Sequence, residues 1–157
     1  FRPFRKGDLI ETGDYLGHVR EIGLFSTKMD SLQNVRIEIP NALLSQLPFR
    51  NWSSNGSCRL DLGVEVSIES DLPKVRSALL DALSTEPRVQ KEPASFVGRD
   101  NFGDSSAILV IRPWCRTEDY WSLRFELPER IKIAVDSVQA SMSAPPREIV
   151  MIDAARS

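Results

Sequence analysis

The stretch Ser53-Ser-Asn-Gly-Ser57 separates two parts of the chain that have different hydrophobic patterns. A run of small polar residues of this kind favours a loop over a helix or a strand. Short strand-like segments precede it, and an alternation of strands and helices follows it. The 157 residues therefore predict two small domains, at residues 1–53 and 57–143, and a short terminal strand at residues 146–153.

The first part predicts a small β domain. Val35-Arg-Ile-Glu-Ile39 alternates apolar and charged residues with a period of two, as a half-buried strand does. Other β-branched and aromatic runs lie at 8–11, 15–22, 24–30 and 47–52, and residues 40–44 predict a single helical turn. Five short strands favour a closed or nearly closed barrel, because closure removes exposed strand edges.

The second part predicts an α/β sandwich. Residues 59–68 alternate as a strand, and residues 71–86 place Val75, Leu79 and Leu83 on one helical face. A hairpin is predicted at 94–102 and 105–114. A second helix follows from Thr117, and we expect Pro128 to bend or interrupt it because proline has no backbone N–H. The order β-α-β-β-α, with an extra strand at the end, suggests a ferredoxin-like sandwich, so the fold class is α+β.

Composition and charge exclude several classes of protein. The formal net charge is −2, whereas proteins that bind nucleic acid usually carry a clear basic excess, so we expect no nucleic-acid partner. No run approaches the roughly 18 apolar residues that a membrane-spanning helix needs. We also expect no signal peptide, because the opening is polar and basic without an apolar core. Since the first residue is Phe1 rather than Met, we expect a fragment or a processed product.

The residues with reactive side chains predict no enzyme. His18 is the single histidine, which excludes metal sites that need several imidazoles. Cys58 and Cys115 lie far apart and form no CxxC pair, so we interpret both as buried small hydrophobic residues in a reducing compartment, with one disulfide left open. The glycine-rich phosphate motifs and the G-x-S-x-G elbow are absent from the sequence. We expect no catalytic residue, no cofactor and no metal.

The opening segment interleaves basic and aromatic residues. Its members are Arg2, Pro3, Phe4 and Arg5. One interpretation is a solvated basic tail. The other is a juxtamembrane segment, in which cationic residues lie just cytoplasmic of a membrane helix and aromatic residues lie at the membrane interface.

Short motifs occur in collinear order along nearly the whole chain. They are Phe1-Arg-Pro-Phe-Arg-Lys-Gly-Asp8, Gly17-His-Val19, Ile22-Gly23, Ser26-Thr27, Ile39-Pro-Asn41, Asn51-Trp-Ser53, Gly63-Val-Glu-Val-Ser67, Asp71, Phe102-Gly-Asp-Ser-Ser106, Trp114, Thr117-Glu-Asp-Tyr-Trp121, Glu129-Arg-Ile-Lys132 and Pro145-Pro-Arg-Glu-Ile149. In this order and spacing they resemble the cytoplasmic part of the small-conductance mechanosensitive channel (MscS-type) family.

The resemblance implies an Sm-like β domain, a ferredoxin-like α/β domain and a terminal strand that joins an axial parallel β-barrel. That strand consists of Ile149, Val150, Met151 and Ile152, which are apolar on both faces, as a strand buried on both sides is. The resemblance also implies a homo-oligomeric ring of seven subunits. Its hollow vestibule would pass and filter ions and small osmolytes below the pore during hypo-osmotic shock.

The parent chain is then expected to be embedded in the inner (plasma) membrane, or in an organelle membrane of bacterial origin, with this part on the cytoplasmic side. Two other functions stay open. One is an Sm-like ring that binds RNA, against which stand the net charge of +1 over residues 1–53 and the lack of an aromatic-rich RNA-binding segment. The other is a soluble scaffold or regulatory-ligand domain built on the ferredoxin-like part.

Overall fold

The computed structural model describes residues 3–102 and 105–149. The chain divides into two compact units, the first ending at Ser57 and the second beginning at Cys58. The sheets are separate, with five strands in the first unit and a four-stranded and a two-stranded sheet built by the rest of the chain. The predicted α+β class is confirmed.

The first unit is an antiparallel sheet with one helical turn. Its elements are β1 (Leu9–Thr12), β2 (Tyr15–Ile22), β3 (Ser26–Ser31), β4 (Arg36–Pro40), α1 (Asn41–Leu44) and β5 (Phe49–Asn51). The strands lie in the order β4-β3-β2-β1-β5, and the described residues contain no β4–β5 ladder. Period-two alternation in β4 and the β-branched and aromatic runs elsewhere located all five strands to within two residues of their observed ends.

The core of the first unit lies on one face of this sheet. The buried side chains that pack together there are Phe4, Ile10, Val19, Met29, Ile39 and Leu44. Gly17 permits a close approach of β2 to β3, because a Cβ at this position would meet the carbonyl oxygen of Asp30 at 2.5 Å. Burial of each large apolar side chain contributes about 1.5–3 kcal/mol, so this cluster is the main source of stability in the unit.

The second unit has two helices and two sheets. Its elements are β6 (Ser57–Arg59), β7 (Leu62–Ser67), α2 (Leu72–Thr85), β8 (Phe96–Phe102), β9 (Ser106–Arg112), β10 (Trp114–Arg116), a 3₁₀ turn (Thr117–Asp119), α3 (Tyr120–Ser137) and β11 (Met142–Glu148). The larger sheet has the antiparallel order β11-β7-β9-β8, and β6 pairs with β10. With α2 and α3 as the connections, this is the ferredoxin-like arrangement that the sequence predicts.

Helix α2 follows the predicted pattern. The side chain of Asp71 caps its start by accepting a hydrogen bond from the backbone N–H of Lys74 at 3.2 Å. Val75, Leu79 and Leu83 are buried on one face of the helix, as the spacing predicts.

Helix α3 corrects one of the two outcomes predicted for Pro128, the interruption of the helix. The helix runs without interruption from Tyr120 to Ser137 and contains Pro128, so the predicted break does not occur. Leu123, Leu127 and Ile131 are almost completely buried on both sides of the proline. Their burial outweighs a penalty of roughly 3 kcal/mol for proline in a helix interior, because a break would expose that apolar face.

Strand β11 is an element that the sequence pattern does not predict. Pro145 and Pro146 interrupt the strand signal, since proline cannot donate to a ladder. Among the described residues, β11 is nevertheless an edge strand whose one partner is β7, and edge positions tolerate proline. Of the predicted barrel strand, Ile149 is described and donates its backbone N–H to the carbonyl of Asp61 at 3.0 Å. Val150, Met151 and Ile152 lie outside the described residues, so that strand stays a prediction.

Candidate functional site

The opening segment is packed into the first unit. Arg2 lies outside the described residues, while Pro3 is partly buried and Arg5 is exposed. Phe4 is only 6% exposed, and its ring meets that of Phe49 edge to face with 5.6 Å between centroids. The structure therefore places Phe4 in the core of the first unit, and the juxtamembrane interpretation of the segment stays a prediction.

A hydrogen-bonded turn ties the residues after Phe4 to three strands. The backbone N–H of Arg5 donates to the Asp8 carboxylate at 2.9 Å, and the Asn51 amide donates to the same carboxylate oxygen at 3.0 Å. The backbone N–H of Gly7 donates to the carbonyl of Val19 at 2.7 Å. A displacement of Phe4 would be transmitted to β1, β2 and β5 through these contacts.

Asn41 holds the turn between β2 and β3. Its side-chain amide donates to the carbonyl of Gly23 at 2.9 Å, and its backbone N–H donates to the carbonyl of Phe25 at 2.8 Å. The buried Thr27 hydroxyl donates to the Asn41 side-chain oxygen at 2.7 Å. The turn is thus fixed from within, although Leu24 and Phe25 at its tip are 85% and 82% exposed.

Helix α3 anchors the end of β11. The Tyr120 hydroxyl donates to Glu148 at 2.7 Å, and Arg124 forms an ion pair with the same carboxylate. Burial raises the pKa of the Tyr120 hydroxyl, and the hydrogen bond to Glu148 raises it further. The strand that leads towards the chain end is therefore fixed to the helical layer by a charged contact.

A buried carboxylate joins the end of α2 to α3. Glu86 is 3% exposed and pairs with Arg88 at 2.8 Å and with Arg130 at 3.1 Å. Arg88 also meets the exposed Glu126 at 2.6 Å. The hydrogen bond from Arg88 holds the pKa of Glu86 below its usual value, against the opposing effect of burial.

Strands β6 and β10 bring the two cysteines together. Both are free thiols; Cys115 is fully buried, whereas Cys58 is only partly buried, so the expectation of two buried residues is wrong for Cys58. Their side chains hydrogen-bond to each other, which lowers the pKa of Cys58 and raises that of Cys115. Within the described ranges no cluster of three or more metal-ligating side chains occurs.

Two family models cover these two units. Residues 1–54 match the mechanosensitive ion channel β-domain, and residues 60–142 match the C-terminal region of the mechanosensitive ion channel MscS. The chain belongs to the MscS family. The resemblance to this family that the short sequence motifs indicate is thereby confirmed.

Full-length MscS relatives extend well beyond this chain. A small-conductance mechanosensitive channel of Edwardsiella ictaluri is 29% identical over 99% of the chain and 54% of its own length. An uncharacterised MscS family protein of Synechocystis is 33% identical over 97% of the chain and 51% of its own length. The chain thus spans about half the length of these curated relatives.

A solved structure supports the same fold. The crystal structure of Helicobacter pylori MscS in its closed state superposes with a TM-score of 0.82 at 29% identity, over 96% of this chain and 60% of that one. In the part of the MscS-family chain that the structure describes, no helix has the length and apolar character needed to cross a membrane.

Sequence patterns missed most of the residues that hold this MscS-family chain in shape. Phe4 has no periodic neighbours that would indicate its burial. The two cysteines are 57 positions apart, and only the pairing of β6 with β10 brings them together. Asn41 belongs to the motif Ile39-Pro-Asn41 of the family resemblance and to a predicted helical turn, but its hydrogen bonds to the turn between β2 and β3 were not predicted.

Proposed function

We propose that this chain is the cytoplasmic part of a tension-gated MscS-family channel, and that it forms a ring around a solute-filled vestibule below the pore. The observation that carries the proposal is the match of both units, in order, to MscS-family models. The named relatives in this family are channels.

The packing of Phe4 gives the proposal a mechanical basis. A juxtamembrane segment that is expected to follow the pore-lining helix is anchored by a buried ring and by the Asp8 turn. Movement of the helix would then load the β unit directly, since only four residues separate Phe4 from β1 and hydrogen bonds from Arg5 and Gly7 hold them. This coupling is the role we propose for the segment from Arg2 to Arg5.

Ring assembly follows from the proposed terminal strand. Each subunit would contribute one strand to a parallel barrel, and both faces of that strand would be buried. The strand consists of Ile149, Val150, Met151 and Ile152. A head-to-tail interface of this kind closes into a ring, for which we expect seven copies. Openings between neighbouring subunits would pass ions and small osmolytes, and the net charge of −2 predicts weak ion selectivity.

The full-length parent protein, reconstituted in liposomes, provides the test. Suction on a patch is expected to open a conductance that is absent without tension. Once the openings are mapped in the assembled parent, reversal of the charges that line them is expected to change the reversal potential in a salt gradient. The proposed channel function would be contradicted if the parent protein passed no current at any tension below that which ruptures the membrane. Ion permeation that stays unaltered after these charge reversals would contradict the proposed filtering role of the openings.

A further inference from the structure

The ladder between β6 and β10 sets Cys58 directly opposite Cys115. The backbone N–H of Leu60, just after β6, donates to the carbonyl of Pro113, just before β10, at 2.9 Å. A bond between the end of one strand and the start of the other requires antiparallel strands. Counting two residues inward along each strand from this pair leads to Cys58 and Cys115.

This register suits a disulfide. Residues opposite each other in a hydrogen-bonded antiparallel pair have Cα atoms about 5.5 Å apart, and disulfides span Cα distances of about 4.4–6.8 Å. Opposed residues also project from the same face of a ladder. The interaction between the two thiols lowers the pKa of Cys58 and raises that of Cys115, which places the two side chains close to each other.

The two thiols have complementary environments. Cys58 is partly exposed, so a small oxidant in solution can reach it, whereas Cys115 is fully buried. Hydrogen bonds from Cys115 and from the Thr117 hydroxyl lower the pKa of Cys58, which increases its thiolate fraction. Cys58 is therefore the thiol that would react first with an oxidant, and Cys115 is the neighbour that would resolve the product.

We propose that Cys58 and Cys115 are a reversible dithiol switch that hydrogen peroxide closes to an intramolecular disulfide. The Cys58 thiolate attacks one peroxide oxygen and breaks the O–O bond, which gives a sulfenic acid and, after protonation, water. The Cys115 sulfur then attacks the Cys58 sulfur, loses its proton and expels a second water. In total, two thiols and one peroxide give one disulfide and two waters.

Reduction by a cellular dithiol or by glutathione would restore the two free thiols. Thiol reductants keep cytoplasmic disulfides transient, so the closed form would accumulate only during oxidative stress. Closure would covalently join β6 to β10.

Peroxide treatment of the folded chain tests the proposal. After quenching and denaturation, the titre of free thiols is expected to fall from two towards none. Intact mass spectrometry without reductant is expected to report the loss of two hydrogen atoms in a single chain. A digest should then contain a peptide pair joined through Cys58 and Cys115, and dithiothreitol should restore both thiols.

Single-cysteine variants provide matched controls. In Cys115→Ala, Cys58 is expected to stop at the sulfenic acid, which dimedone traps. In Cys58→Ala, the buried Cys115 is expected to remain a thiol. Even if a variant does not fold, the wild-type peptide map shows whether Cys58 and Cys115 form the disulfide. Retention of both thiols, cross-links only between chains, or overoxidation without the joined peptide would overturn the proposal.

Discussion

At the scale of single residues, Glu86 carries the strongest electrostatic expectation. Glu86→Gln leaves Arg88 and Arg130 without their shared buried carboxylate, so we expect the free energy of unfolding of the second unit to fall by roughly 2 kcal/mol at neutral pH. Urea unfolding followed by helical circular dichroism measures it. Glu126→Gln is the matched control, because that carboxylate is 63% exposed and its loss should cost less than about 0.5 kcal/mol.

The same carboxylate predicts a dependence on pH. The pKa of Glu86 is lowered in the folded chain, so its contribution to stability is complete above its unfolded pKa, near 4.5, and is lost as the pH falls through the lower folded value. We expect the stability difference between the wild type and Glu86→Gln to shrink as the pH falls below about 4.5. A difference that stays constant down to acid unfolding would show that the charge has no such role.

Phe4 gives a second prediction at this scale. Phe4→Ala leaves a cavity in the core of the first unit and should cost about 3 kcal/mol. Hydrogen exchange, resolved by mass spectrometry for peptides that cover β1 and β2, should show faster exchange than in the wild type. Phe25→Ala is the matched control, since that ring is 82% exposed and its removal should leave these peptides unchanged. Equal exchange in the two variants would contradict the packing role of Phe4.

At the scale of secondary-structure elements, Pro128 is the informative position. Pro128→Ala supplies the missing N–H to the carbonyl of Arg124 within an unbroken helix, so we expect stability to rise by about 1–3 kcal/mol. The control is Pro73→Ala in the first turn of α2, where proline is well accommodated and its loss should bring no gain. Thermal unfolding of the two variants compares them directly. A destabilised Pro128→Ala would mean that the packing contacts of the proline ring contribute more than the hydrogen bond that alanine adds.

The elements also show what local sequence can and cannot predict. Alternation in β4 and the spacing of Val75, Leu79 and Leu83 report burial directly, because one face of each element meets the core. The interruption predicted at Pro128 was wrong and β11 was missed, because the deciding contribution comes from distant residues. Burial of Leu127 and Ile131 keeps α3 continuous, and pairing with β7 makes residues 142–148 a strand despite Pro145 and Pro146.

At the scale of the whole molecule, assembly is the prediction to test. Ending the chain at Ile149 preserves β11 and its anchorage to Tyr120 and Arg124, and removes the rest of the proposed barrel strand. We expect light scattering to report fewer subunits per particle than for the intact chain. Deletion of residues 154–157 alone is the control and should leave the particle mass unchanged. Equal masses for the intact chain and the chain ending at Ile149 would contradict a role of the strand in assembly.

The close contact between Gly63 and Ile149 has a consequence for how this family varies. A Cβ at Gly63 would meet a side-chain carbon of Ile149 at 2.8 Å, so the space above β7 is shared between the two positions. We therefore expect covariation among relatives: alanine or serine at the position of Gly63 should accompany a side chain smaller than isoleucine at the position of Ile149. In this chain, Gly63→Ala forces the end of the Ile149 side chain to move, so we expect a small loss of stability in thermal unfolding that Ile149→Ala in the same chain removes.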